Sequence, residues 1–294
     1  IGQVNYNVGF NIADSRSFVD KYPNADKSIK TYYEGQELGE IWGYVTHGIA
    51  KSQAEMDEWI TKNNPSWGSG WGEGDIMYTD LNNDNVINEG ANTVDDPGDR
   101  KIIGNSTPRF RFGINLGLEW KGLDFSMFWQ GVAKRDLALT GAMFWGLSGG
   151  EWQSTGLKEH LDYYNVYNPG AYLPRLTKPD SPEYNANVGY NTSRYLLNAA
   201  YMRLKNLMVS YNFQPKLVKK MGLENLKVYF TCDNLFTIDN LPDVFDPETL
   251  NQVNTWAGGS NETAPGLTSP MKQNGNGKVY PLNKNYVFGI EFTF

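Results

Sequence analysis

Cysteine and histidine are nearly absent from this sequence of 294 residues: Cys232 stands alone, and His47 and His160 are the only imidazoles. One cysteine excludes an intrachain disulfide and a cysteine-built metal cluster. Two histidines leave a histidine-centred catalytic site poorly supplied. Positive charge is also scarce. The formal net charge is −7, and no basic stripe is visible, which argues against nucleic acid as a partner. No run of about 18 apolar residues occurs, so no helix is expected to cross a membrane. That lack leaves β-barrels open, because their strands are only half apolar and barely register on hydropathy scales. The N-terminus shows no secretory leader. It begins inside an alternating segment, so the chain is expected to be part of a longer one.

Aromatic residues, by contrast, are plentiful: 18 Tyr, 14 Phe and 9 Trp. Such rings suit membrane interfaces and ligand-stacking surfaces alike. Their placement is patterned. In Asn285–Phe294 the residues Tyr286, Phe288, Ile290, Phe292 and Phe294 oppose Asn285, Val287, Gly289, Glu291 and Thr293. Side chains alternate faces along a strand, so one face is almost wholly aromatic and apolar.

The same alternation runs through Ile1–Ile12, where Val4, Tyr6, Val8, Phe10 and Ile12 share a face, and through Arg109–Trp120. There Arg109, Arg111 and Glu119 oppose an unbroken apolar row. Unpaired charges buried in a dry sandwich would cost too much, so a wet lumen is expected behind them. Lys121-Gly122 makes a two-residue hairpin turn into Leu123–Val132. It pairs Trp120 with Leu123, Leu118 with Phe125 and Leu116 with Met127, all on the apolar face, so turn and pattern specify one register. Tyr201–Phe213 and Leu226–Phe236 are further strands, and Gln36–His47 is a seventh candidate with poor alternation. Counting back from Phe294 at the periplasmic side, segments 237–284, 133–200 and 48–108 fall outside; 214–225, 121–122 and 13–35 fall inside. Long outer loops and short periplasmic turns are the habit of outer-membrane barrels. Only 13–35 is longer than expected. Long loops could hide further hairpins, for example near Leu137–Trp145. Ser52–Lys62 reads as a helix capped by Ser52, with Glu55 three residues later.

Seven segments resemble, in order, the SusC/RagA family of TonB-linked outer-membrane transporters. They are Gly74–Asn88, Asp99–Asn105, Pro108–Gly131, Ala200–Asn206 with Asp233–Phe236, Phe245–Glu248 and the terminal strand. The resemblance spans nearly the whole chain. It implies an all-β fold: residues 1–294 would be the C-terminal portion of a transmembrane antiparallel β-barrel of about 22 strands, without the plug domain. It implies no enzymatic activity. The implied function is TonB-dependent import of an oligosaccharide or oligopeptide across the bacterial outer membrane. The implied partners are a SusD-like lipoprotein lid, the lipid bilayer, and TonB-ExbB-ExbD through the missing N-terminal region.

Two constellations are candidate sites. Asp80, Asn82, Asp84, Val86 (by its carbonyl) and Asn88 have the alternate spacing of a calcium loop. Asn85 stands where an EF-hand has glycine, and Ala91 stands where it has the last acidic ligand. The family resemblance puts Asp99 in that acidic role, with Asp95 or Asp96 as substitutes. A bound Ca2+ would be structural; the competing reading is a loop of Asx-turns held by its own side chains. Trp67, Trp71, Trp145, Trp152 and Trp256, with Trp59, lie in the outer segments, and the first five are candidates for stacking on substrate. Loop packing, or contact with the lid, is the plainer reading. Trp120 and Trp129 read as lipid-facing, and Cys232, on an apolar strand face, as inert. Glu151 and Glu159 could be imagined as a glycosidase pair, but nothing in the sequence brings them together. The alternative function is a soluble all-β carbohydrate-binding module with a structural calcium loop.

Overall fold

The structure, a computed structural model, describes residues 4–66, 70–138, 142–146, 156–177, 186–249 and 281–294. In chain order the strands are β1 (Val4–Ala13), β2 (Glu40–Tyr44), β3 (Thr46–Ile49), β4 (Ile76–Tyr78), β5 (Arg100–Asn105), β6 (Arg109–Trp120), β7 (Leu123–Lys134) and β8 (Asp136–Ala138). They continue as β9 (Tyr163–Tyr164), β10 (Leu173–Arg175), β11 (Leu196–Asn198), β12 (Tyr201–Asn212), β13 (Asn225–Asp233), β14 (Thr237–Asp239) and β15 (Asn285–Thr293). The helix α1 (Gln53–Asn63) lies between β3 and β4.

Six long strands make one antiparallel sheet in the order β1-β6-β7-β12-β13-β15, with β14 added beside β12. Each has between 9 and 12 residues, which suits a tilted crossing of a bilayer. The sheet is open, as one part of a barrel. Its register carries the apolar row from strand to strand without a break. Val8 faces Leu116, Leu116 faces Met127, Met127 faces Leu207, Leu207 faces Cys232, and Cys232 faces Tyr286. An irregularity at Lys205 in β12 shifts the pairing by one residue between Leu204 and Asn206, yet Leu204, Leu207, Val209 and Tyr211 all stay on the apolar side. Phe110 departs from the pattern: its φ of 53° takes the backbone out of the extended region and interrupts the outward row.

On its edge strands this apolar face is bare. Phe10 is 63% exposed and Phe288 80%. Leaving one large apolar side chain in water rather than burying it forfeits about 1.5–3 kcal/mol. A sheet with such rows on its edge strands and across its width therefore suits a hydrocarbon solvent.

The hairpin Lys121-Gly122 is as the sequence specified: both residues have positive φ, 47° and 89°, and Trp120 pairs with Leu123. One expectation is corrected. Gln36–His47 does not cross with the other strands. Its β2 has five residues, forms a two-stranded sheet with β5, and buries Ile41, Trp42 and Tyr44. A segment that short, with apolar groups on both faces, belongs in a core. β1 then pairs directly with β6, antiparallel. Residues 14–108 form one connection at the end opposite the hairpin, so 13–35 joins the outer loops. The anomalously long inner turn disappears, and loop sorting becomes cleaner than the sequence suggested.

The outer connections pack on each other. Tyr44, Met56, Trp59, Ile76 and Tyr78 from 14–108 share a core with Leu137, Tyr163, Leu173 and Tyr195 from the β7–β12 connection. The region near Leu137 contributes β8, which pairs with β11 in a separate two-stranded sheet.

Candidate functional site

The face opposite the apolar row is polar. Asn5 faces Glu119, and Asn7 and Asn11 lie over Gly117 and Gly113. Asp124 accepts from Asn212 Nδ2 at 2.8 Å and from Ser210 Oγ at 3.3 Å. Asn206 Nδ2 donates to Asp233 at 3.0 Å and to Thr231 at 3.2 Å. Lys227 faces Glu291 across β13 and β15. Gly289 lies under the Tyr229 ring, where an added Cβ would come within 2.1 Å of it. Such a wall offers donors and acceptors to water or to a polar molecule and gives lipid no purchase.

Ion pairs close the outer rim. Asp14 takes Arg109 through two hydrogen bonds, and Arg16 reaches Glu37 at 2.5 Å. The Arg109 hydrogen bonds hold the Asp14 carboxyl down at about 2. Arg203, buried, meets Asp246 at 2.9 Å and Glu248 at 3.3 Å; Lys205 meets Glu248 at 3.0 Å. Burial pushes the Asp246 carboxyl up, but its hydrogen bonds from Arg203 and the backbone prevail and lower it. These pairs fasten the stretch after β14 to the inner side of β12, beside a cavity of about 400 Å³.

The outer lobe is pinned at Asp75, which is fully buried. It accepts from Arg175 Nε and Nη2, each at 2.7 Å, from Asn187 Nδ2 at 2.8 Å, and from the Gly72 amide at 2.9 Å. Asn187 Oδ1 in turn accepts from the Ile76 amide at 2.9 Å. One carboxylate thus joins the two largest outer connections. Sequence reasoning missed it, because Arg175 is 100 residues away and no local pattern links the two.

Trp71 and Trp145 are buried in this lobe. Trp71 packs on Trp59 (5.5 Å between centroids) and on Tyr78 (6.4 Å). Trp145 lies against Phe144 and Tyr195, each at 4.8 Å. Their ring faces are taken up by protein neighbours, which favours loop packing over ligand stacking at these two positions. Trp67, Trp152 and Trp256 fall outside the described residues, as does Glu151.

The 80–88 loop is built from Asx-turns. Asp80 accepts from the amides of Asn83 and Asn85 at 2.6 and 2.9 Å. Asp84 accepts from the Val86 amide at 2.7 Å, and Asn82 from the Asp84 amide at 3.1 Å. Asn83 and Asn85 both take left-handed φ, 63° and 62°, which asparagine tolerates. Asp99 is fully buried beneath the loop and accepts from the Leu81 and Asn88 amides at 2.8 and 2.9 Å. Burial pushes its carboxyl up, and the nearby Asp80 and Asp84 push it further. Asp99 is thus tied to the loop through two backbone amides. Asp96 is occupied elsewhere, accepting from the Ala91 amide at 2.9 Å. Among the described residues no group of three or more His, Cys, Asp or Glu side chains is close enough together to hold a metal ion. The donors are hard oxygens of the kind Ca2+ takes. The loop would have to tighten to surround a cation.

No family model matches the chain. It is 28% identical over 233 residues to TonB-dependent receptor P3 of Formosa agariphila, covering 79% of this chain and 21% of that protein. It is 26% identical over 260 residues to TonB-dependent receptor P26 of the same organism, covering 88% of this chain and 23% of the relative. It thus spans under a quarter of the length of either. Among solved structures, the RagAB peptide transporter superposes with a TM-score of 0.60 at 20% identity, over 99% of this chain and 27% of that one. The RagAB peptide importer in its open-open state gives 0.61 at 21% identity, over 100% and 27%.

Proposed function

We propose that this chain, one segment of a SusC/RagA-type TonB-dependent transporter barrel, supplies lumen wall and outer loops for active uptake of a nutrient across the bacterial outer membrane. The observation that carries the reading is the two-faced sheet: apolar outside across six strands, polar inside, with the long connections gathered at one end. The substrate is an oligosaccharide or oligopeptide, captured between the outer loops and a SusD-like lipoprotein lid. TonB with ExbB-ExbD drives the step through parts of the protein outside this chain. The chain's own residues line, shape and fasten. A structural Ca2+ held by Asp80, Asn82, Asp84, the Val86 carbonyl, Asn88 and Asp99 would rigidify the outer lobe. In support, the loop supplies hard oxygen donors, and the charges of Asp80 and Asp84 are felt at the buried Asp99, where a cation would offset them.

The alternative of a soluble carbohydrate-binding module would leave the Tyr286–Phe292 and Tyr6–Ile12 rows in water, at a cost no outer-lobe contact offsets. The test is uptake in cells carrying the intact gene, a deletion, or a TonB deletion. A labelled tryptic peptide pool and a labelled oligosaccharide pool serve as probes. Uptake of one pool should fall to background in both deletions, and a lipoprotein should co-purify from detergent. Equal uptake in all three strains would overturn the proposal.

A further inference from the structure

The short connection between β12 and β13 has chemistry the transport reading does not use. Pro215–Val218 forms one helical turn, a 3-10 turn over Lys219–Met221 continues it, and Gly222 ends it at φ 76°. Proline at the start and a left-handed glycine at the end are the usual punctuation of such a piece. Val218 is fully buried and seats the turn on the sheet. Leu217 and Met221, four residues apart and so on one side, are instead 51% and 61% exposed. Lys216, Lys219 and Lys220 are exposed around them. None of the three lysines forms an ion pair among the described residues. Three lysines within five residues stand out in a chain of net charge −7.

This turn continues the lipid-facing surface. It leaves β12 just after Tyr211 and Phe213, whose rings meet edge-on at 5.0 Å, and enters β13 before Leu226, which pairs with Phe292. At the neighbouring hairpin, Lys121 Nζ lies 5.4 Å from the centre of the Trp120 ring. An aromatic row thus ends the apolar face on this side, with lysines just beyond it. Rings of this kind settle at headgroup depth, and lysine stems lie along apolar surface while the ammonium reaches the phosphates.

We propose that the 214–222 turn is an interfacial foot that binds anionic phospholipid of the periplasmic leaflet. Leu217 and Met221 dip among the upper acyl carbons. Lys216, Lys219 and Lys220 take the phosphate, whose charge stands uncompensated in phosphatidylglycerol and is balanced by the headgroup ammonium in phosphatidylethanolamine. Charge complementarity and continuity with the apolar face single out lipid over a periplasmic protein. The inference rests on the membrane reading of the sheet.

The test reconstitutes the intact transporter in bilayers of equal parts phosphatidylethanolamine and phosphatidylglycerol. The protein is then stripped into mild detergent, and the retained lipid is identified by native mass spectrometry. Wild type should retain phosphatidylglycerol in preference. The triple variant K216Q/K219Q/K220Q should lose that preference by about tenfold. L217S/M221S should lower total retained lipid while keeping the headgroup preference. Heat-modifiable migration on gels reports barrel assembly in every sample. Wild type without preference, or a triple variant with wild-type preference in an assembled barrel, would overturn the foot. A wild type that never assembles as a membrane barrel would overturn the membrane reading itself, and the foot with it.

Discussion

The six-stranded sheet and the outer lobe use the same residue types in opposite ways. In the sheet, Phe10 and Phe288 point away from protein and stand open. In the lobe, Tyr44, Ile76 and Tyr78 are shut in, and an aspartate at position 75 is buried with them. No single solvent suits both arrangements. The lobe is organised as a water-soluble protein is, around a closed apolar core in which the buried Asp75 and Asn187 are hydrogen-bonded. The sheet is organised for hydrocarbon outside and water inside. The contrast carries more weight than either region alone, because both come from one chain of uniform composition.

The comparison can be broken most forcefully at Asp75. Asp75→Ala removes the buried carboxylate that ties the part-exposed Arg175, Asn187 and the Gly72 amide together, four hydrogen bonds worth about 3–5 kcal/mol in sum. Limited proteolysis of intact protein in detergent should cut the outer connections early, while heat-modifiable migration of the barrel persists. Simultaneous loss of both would show that lobe and sheet are one cooperative unit. Phe288→Arg is the matching test in the sheet. A charge at the lipid face should cost about 2–4 kcal/mol near mid-depth and reduce assembled protein in the outer membrane. In a soluble sandwich the same change at an open position would be harmless, so unchanged yield would count against the lipid face.

Calcium sharpens the lobe side. The Asp99 carboxyl is raised by burial and by Asp80 and Asp84. Between its ordinary value and the raised one, the folded state holds the extra proton. Without a cation, lobe stability therefore falls as pH rises through that window. Added Ca2+ should restore it at neutral pH, by about 2.7 kcal/mol at a hundredfold excess over Kd, and do little at acid pH. Asp99→Asn should flatten the pH dependence and abolish the calcium response. A full response in Asp99→Asn would remove Asp99 from the site. The smallest expected effect is at the helix cap. Ser52→Ala removes the hydrogen bond from the Glu55 amide to Ser52 Oγ, 3.2 Å, and should cost about 1 kcal/mol in lobe melting alone.

What was legible in the sequence follows the same division. β1, β6, β7, β12, β13 and β15 could be read because a strand between lipid and water must alternate, and the Lys121-Gly122 turn fixed one register. The helix was readable from Ser52; its Glu55 reaches back to the Lys51 amide at 2.7 Å, one residue before the cap. The lobe was largely illegible. β2 and β4 are apolar on both faces, so they carry no period-2 signal, and β2 was mistaken for part of a crossing strand. The Asp75 cluster depends on partners from distant connections. Trp71 and Trp145 showed in the sequence as aromatic rings in loops, but not which way they turn. The 80–88 loop was legible in its turns, and its link to Asp99 came from the family resemblance rather than from spacing.

The most direct measurement scans β15 with single cysteines in a Cys232→Ser background of the intact protein. Each is labelled with a fluorophore and reconstituted in bilayers with brominated acyl chains. Quenching should alternate: strong at Tyr286→Cys, Phe288→Cys and Ile290→Cys, weak at Val287→Cys and Glu291→Cys. Uniform weak quenching along the strand, with every label open to a water-soluble quencher, would contradict a lipid-facing row and with it the barrel account of this chain.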